Sequence, residues 1–221
     1  MGSTNMLINL YARCGLLIEA QQIFDSLPHR DINSWNMLIE GYCDHACCKE
    51  ALNCFARMHK EGFSPNSFTL VCSLRISISM GCVQKGKEIH SEITKMGLEE
   101  EILVANTLVD MYSKCGDIDE ASSILHRLPN RNVVSWSALI AGYAEHGKTE
   151  EAMKCFDEMK CEGLPPNAVT FSSILKACGS SGAIHEGKKV HDEITHQKLL
   201  ANNVVLGSAL VDMYAKCGAL R

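Results

Sequence analysis

Residues 133–159 read VVSWSALIAGYAEHGKTEEAMKCFDEM, and the fold is decided in this stretch. Before Gly147, Leu139, Ile140 and Tyr143 recur at helical spacing; after it, Ala152, Phe156 and Met159 sit at i, i+4 and i+7. Two amphipathic helices joined at a glycine make a helical hairpin. The glycine suits a C-cap and turn because it has no Cβ to clash in left-handed backbone. Thr149 is expected to cap the second helix, with Glu150 and Glu151 in the first turn where the helix dipole favours acids.

Shifting the chain along itself by 101 residues brings Asn5 onto Asn106, Cys14 onto Cys115, Pro28 onto Pro129, Trp35 onto Trp136 and Tyr42 onto Tyr143. Phe55 falls on Phe156, Met58 on Met159, Pro65 on Pro166 and His90 on His191. This is an internal duplication, and each block divides again into three hairpins. The repeats are 1–31, 32–66, 67–101, 102–132, 133–167 and 168–203, with a seventh, 204–221, cut short. Repeat position 15 holds Gly15, Gly81, Gly116, Gly147, Gly182 and Gly218, and the second repeat alone departs with Ala46. All five tyrosines occupy position 11, and alanine or glycine occupies position 20 of every complete repeat. Small residues at a fixed place let neighbouring helices approach closely. A hairpin of this size cannot bury its apolar faces alone, so the repeats must stack into a solenoid, whose concave surface is the binding candidate.

Composition narrows the function. At 221 residues with 46% hydrophobic side chains the chain can bury a sizeable core, and no apolar run reaches the roughly 18–20 residues that cross a bilayer. No membrane association is expected, and the first residues, MGSTNMLINLYARCG, show neither a secretory signal nor an amphipathic leader. The twelve cysteines lie on helical segments without any CxxC, so they read as reduced thiols; Cys14, Cys115 and Cys217 mark a repeated CysGly slot. The net charge of −5 argues against a polyanion partner unless basic groups are placed locally.

One motif is a decoy. His90-Ser-Glu92 and His191-Asp-Glu193 match the HxE of zinc deaminases, but the accompanying PCxxC is absent. Both histidines fall at position 24, the slot that Phe24, Phe55 and Phe156 fill elsewhere, so they read as packing or interface residues. No catalytic constellation, metal site or cofactor is expected.

The segments NTLVDMYSKCG from Asn106, VVSWSALIAGYAEHG from Val133 and EGKKVH from Glu186, with the rhythm of one short repeat and two longer ones, resemble plant pentatricopeptide repeat proteins of the subclass built from P, L and S repeats. In order the repeats are S, P, L, S, P, L and a partial S. The tetratricopeptide repeat, a peptide-binding scaffold of fixed period, fits neither the variable lengths nor the polar residue at position 5.

The resemblance implies an all-α, right-handed α-solenoid that binds single-stranded RNA one base per repeat, read by position 5 and the last residue of the repeat. Asn5 with Asp31 then resembles a uracil reader, and Asn36 with Asn66 and Asn106 with Asn132 resemble pyrimidine readers. Ser137 with Asn167 resembles an adenine reader, as does Ser172 with Asn203 in an L repeat; Val71 with Glu101 matches no reading pair, and Ser208 has no partner residue. Apolar position 2 would sandwich the bases through Phe68, Leu103, Val134, Val169 and Val205, whereas Gly2 and Asn33 depart. Position 13 favours a phosphate-contacting base, met by Arg13, Lys114 and Lys216 but replaced by Asp44 and Glu145 in P repeats and serines in L repeats. The implied target is 5′-UYNYA. Beside this stands another reading of the asparagines, as helix-start caps common at any such position.

The resemblance further implies a mitochondrial or chloroplast protein, a monomer, that specifies a site for RNA editing or processing. A deaminase domain of the kind relatives carry would lie outside these residues. An alternative of another class is a protein-interaction scaffold whose L repeats recruit an editing-factor protein.

Overall fold

The computed structural model describes residues 2–201 and 203–219; Met1, Asn202, Leu220 and Arg221, which the repeat intervals include, lie outside the described residues. Among the described residues there are thirteen α-helices and no strand. They are α1 (Gly2–Arg13), α2 (Leu17–Asp25), α3 (Ile32–Asp44), α4 (Cys48–Lys60), α5 (Ser67–Met80), α6 (Val83–Met96) and α7 (Ile102–Lys114). They continue as α8 (Ile118–Arg127), α9 (Val133–Glu145), α10 (Thr149–Cys161), α11 (Ala168–Ser181), α12 (Ile184–His196) and α13 (Val204–Lys216). The chain forms two compact units, Met1–Met111 and Tyr112–Arg221.

Within the first unit α1 packs on α2 and α3, α3 on α4 and α5, and α5 on α6. Its core holds Phe24, Trp35, Leu38, Ile39 and Met58, all fully buried. Within the second unit α9 packs on α8, α10 and α11, and α11 on α12 and α13, around Leu139, Ile140, Phe171, Ile174 and Leu175. In each unit the first helix of one hairpin therefore lies against the first helix of the next. Removing these side chains from water is the main favourable term, about 1.5–3 kcal/mol for each large apolar group.

Position 20 shows why it must be small. A Cβ on Gly187 would lie 2.7 Å from the Met213 sulfur, and one on Gly86 would overlap the Met111 sulfur, so these helices meet across bare backbone. Ala20, Ala51, Ala121 and Ala152 fill the same slot fully buried. Position 15 is left-handed throughout: Gly147 has φ 70°, and Ala46, which has a Cβ, takes the same conformation at φ 56°. One expectation fails. Thr149 does not cap α10; the cap is Lys148, without a side-chain hydrogen bond, and the Thr149 hydroxyl donates instead to the carbonyl of Ala177 at 3.2 Å. The hydroxyl is drawn sideways to a neighbouring helix, so α10 starts on backbone geometry and its acidic first turn.

Candidate nucleic-acid interface

In five of the repeats the last residue is the N-cap of the following helix: Asp31, Asn66, Asn132, Asn167 and Asn203. Asp31, Asn66, Asn132 and Asn167 accept from the backbone N–H three residues on, and Ser34, Thr69, Ser135 and Thr170 return the bond to close a capping box. Asn203 caps α13 through the N–H of Leu206 at 3.1 Å. The capping role of these residues is thus real, and it engages one oxygen: Asn66, Asn132 and Asn167 accept through Oδ1. Their Nδ2 groups are donors that the cap does not use.

Position 5 meets that cap directly in the first two repeats. Asn5 donates to the Asp31 carboxylate at 3.4 Å, and Asn36 donates to Asn66 Oδ1 at 3.3 Å while accepting from the Thr69 hydroxyl at 2.6 Å. In the fifth repeat the link is indirect. Ser137 and Thr170 lie 2.7 Å apart through their hydroxyls, and Thr170 donates on to Asn167 Oδ1 at 3.0 Å. Ser137 is 4% exposed and Asn36 7%, so position 5 is buried in these two repeats.

The other expected pairs are placed differently. Asn106, half-buried on α7, belongs to the first compact unit and Asn132 to the second. Ser172 donates its hydroxyl to the Ala168 carbonyl of its own helix at 2.8 Å, and Asn203 serves its cap. Val71 is buried in the core and Glu101 exposed, while Ser208 is exposed on α13.

Position 2 has the opposite character. Leu103, Val134, Val169 and Val205 are all more than half exposed, Val205 at 65%, and Phe68 is 36% exposed. An apolar side chain in the first turn of each of these helices thus faces solvent, near the cap of the same helix. Exposed large apolar residues recurring at one register position are unlike the scattered ones of an ordinary surface.

Lys216 pairs with Asp212 at 2.7 Å on the same helix. Arg13 is exposed at the end of α1 and Lys114 at the end of α7. Near Arg13, burial and the Asp44 carboxylate push the Glu40 carboxyl above its ordinary value, against the pull of Arg75 and Arg13. Sequence reasoning passed over Arg75 and Lys176, which bond the acids that stand at position 13: Arg75 Nη2 lies 2.8 Å from Asp44, and Lys176 Nζ 3.6 Å from Glu145. The 101-residue shift superposes the two, a signal that was available. It also passed over Thr69 and Thr170, legible as the fourth residue of an Asn-x-x-Thr pattern.

No group of three or more His, Cys, Asp or Glu among the described residues could hold a metal ion. His191 accepts or donates to the Tyr214 hydroxyl at 2.9 Å, and His90 lies 3.1 Å from Glu99, so both bond to neighbouring side chains. The cysteines are free, and burial pushes the Cys54 and Cys155 thiols up to about 12, where they are neutral and unreactive at physiological pH.

Helical hairpins with capped first helices, polar links between position 5 and the cap, and an exposed apolar residue in the same first turn define a helical-repeat protein with a periodic surface. Comparison with known proteins gives the family. The PPR repeat family model matches residues 30–75 and 131–180, and the PPR repeat model residues 3–32, 104–133 and 169–198. The chain belongs to the pentatricopeptide repeat proteins. It is 35% identical over 97% of its length to a chloroplastic pentatricopeptide repeat-containing protein of Arabidopsis thaliana, and 38% identical over 98% to a mitochondrial one. It spans 26% and 34% of the lengths of these two relatives. Among solved structures it resembles the pentatricopeptide repeat protein PPR10 in complex with an 18-nt psaJ RNA element, with a TM-score of 0.83 over 99% of this chain and 33% of that one, at 22% identity. That likeness establishes the shared fold.

Proposed function

We infer that this chain binds single-stranded RNA one base per repeat, as an array of the P, L and S subclass that marks a site for editing or processing in an organelle. The observation that carries the reading is the polar link at the repeat junctions. Asn5–Asp31, Asn36–Asn66 and Ser137–Thr170–Asn167 each join position 5 to the cap, and the cap asparagines keep an amide donor outside that link. A side chain fixed on two sides loses little entropy on meeting a base edge, which favours discrimination. Exposed Leu103, Val134 and Val169 offer apolar faces against which bases can stack. PPR10 was solved with RNA, and the relatives are chloroplastic or mitochondrial, which supports both the ligand and the compartment.

The test is a panel of short labelled RNAs varying 5′-UYNYA one position at a time, read by gel shift at fixed salt. Pyrimidines should be preferred at the second and fourth positions and adenine at the fifth. The same sequence locked in a hairpin stem should bind more weakly, because its bases cannot leave the stack. Equal affinity for stem and single strand contradicts the reading.

A further inference from the structure

On the reading just given, P repeats should repel the RNA backbone, since position 13 holds Asp44 and Glu145 where a base is wanted. The structure supplies a cation at each of these points. Positions 2, 9 and 13 of a helix fall within about 20° of one face, because seven and eleven residues are close to whole numbers of turns. Arg75 and Lys176 occupy position 9 of the repeats that follow, on α5 and α11, and reach Asp44 and Glu145 at 2.8 and 3.6 Å. All four side chains are about half exposed, so the pairs sit at the surface and contribute little to stability. The arrangement nevertheless occurs in both compact units. In α13 the same two positions carry the opposite charges, Asp212 at 9 and Lys216 at 13.

We propose that Arg75 and Lys176 hold RNA phosphates at the P-to-L junctions, taking the place of the missing position-13 base, and that Asp44 and Glu145 are built-in competitors that weaken this hold. Arg75 gives Asp44 one Nη2 contact and keeps donors of its planar fork for a phosphate oxygen. Lys176, at the longer separation, has ammonium donors to spare. Each pair is charge-balanced when free, so these junctions bind RNA without the large electrostatic term of a basic groove.

The experiment uses the full chain and a fluorescently labelled single-stranded RNA containing UCACA, with anisotropy followed over about 50–200 mM KCl. Arg75→Gln with Lys176→Gln should weaken binding and flatten the dependence of log K on log salt by about 0.7 for each phosphate no longer neutralised. Asp44→Asn with Glu145→Gln should tighten binding, by about two- to fivefold per site at low salt. The two double variants break the same two bridges, so a purely structural brace predicts that both change melting temperature and RNA affinity in the same direction. Opposite changes in affinity support the proposal; parallel changes, or a wild-type affinity and salt slope in the Arg75/Lys176 variant, overturn it. Failure of the wild-type chain to bind any of the RNA panel removes the parent reading and this one together.

Discussion

Trp35 and Trp136 stand 101 residues apart in the same slot, one fully buried and the other 1% exposed, yet their indole N–H groups are treated differently. Trp136 Nε1 donates to Glu162 at 2.9 Å; Trp35 Nε1 is buried and finds no partner. The acid is present in both places, as Glu61 and Glu162. In the first block Arg57 donates to Glu61 at 2.9 Å and Arg30 at 3.0 Å, so that carboxylate is taken by two guanidinium groups. Arg57 also lies over the Trp35 ring, 5.5 Å from its centroid. In the second block Glu158 stands where Arg57 would be and faces His126 at 3.4 Å, leaving Glu162 to Trp136 and Arg131. The duplicated hairpins keep their apolar core and their turns, while the polar wiring around the same ring has been exchanged.

That contrast gives unequal responses to the same substitution. Glu162→Ala should destabilise the chain by about 1–3 kcal/mol, because it strands a buried indole N–H as well as breaking the Arg131 pair. Glu61→Ala breaks only partly exposed ion pairs and should cost about 0–1 kcal/mol. Urea midpoints of the two variants measure the difference, and equal shifts would undo the explanation. Replacing each ring by phenylalanine sharpens it. Trp35→Phe sheds an unsatisfied donor, so it should cost about 1 kcal/mol less than Trp136→Phe, although both lose comparable packing.

Position 15 offers a second contrast between the blocks. Ala46→Gly should stabilise by about 1 kcal/mol, since alanine there is held in left-handed backbone, and Gly147→Ala should cost about as much. A Cβ on Gly147 meets nothing within 4 Å, so that cost is conformational alone. Thermal melts of the pair check both signs.

The smallest effect concerns pH. Burial alone would raise the Glu162 carboxyl, but hydrogen bonds from Trp136 and Arg131 outweigh it and hold the group below its ordinary value of 4.5. A carboxyl depressed in the folded state contributes stability above its unfolded value and loses it as pH falls through the folded one. Glu162→Gln should therefore lose less stability than the wild type as pH drops below about 4.5, while Glu61 and Asp25, also depressed, keep the remaining acid sensitivity. Denaturation curves on either side of that pH show whether the limb flattens.

The apolar spacing around Gly147 was enough to read the hairpin, because one periodicity and one turn glycine determine it locally. Ala20 and Gly86 gave the close approach for a similar reason: what the column tolerates is one property, size. The site was harder. Asn66 and Asn167 could be placed at caps from their column alone, but Thr69 and Thr170, which tie those caps to Asn36 and Ser137, act across two helices of adjacent hairpins. Thr149 was misread for the same cause, its hydroxyl being claimed by Ala177 on another helix. Arg75 and Lys176 escaped notice because position 9 carries different residue types in other repeats. Single columns report packing; hydrogen bonds between repeats need pairs.

The most direct test converts one block into the other. The slot of Ser137 in the second block is that of Asn36 in the first, where asparagine fits at 7% exposure and bonds both Thr69 and Asn66, so Ser137→Asn has a precedent within the same chain. Affinities for the A, C, G and U variants of the fifth nucleotide, measured at one salt concentration for the wild type and Ser137→Asn, should show preference moving from adenine to a pyrimidine. A base-edge contact of this kind is worth about 1–3 kcal/mol of discrimination, and preferences at the other nucleotides should stay as they were. A folded Ser137→Asn protein with an unchanged fifth-nucleotide preference would contradict the assignment of position 5 as the reader.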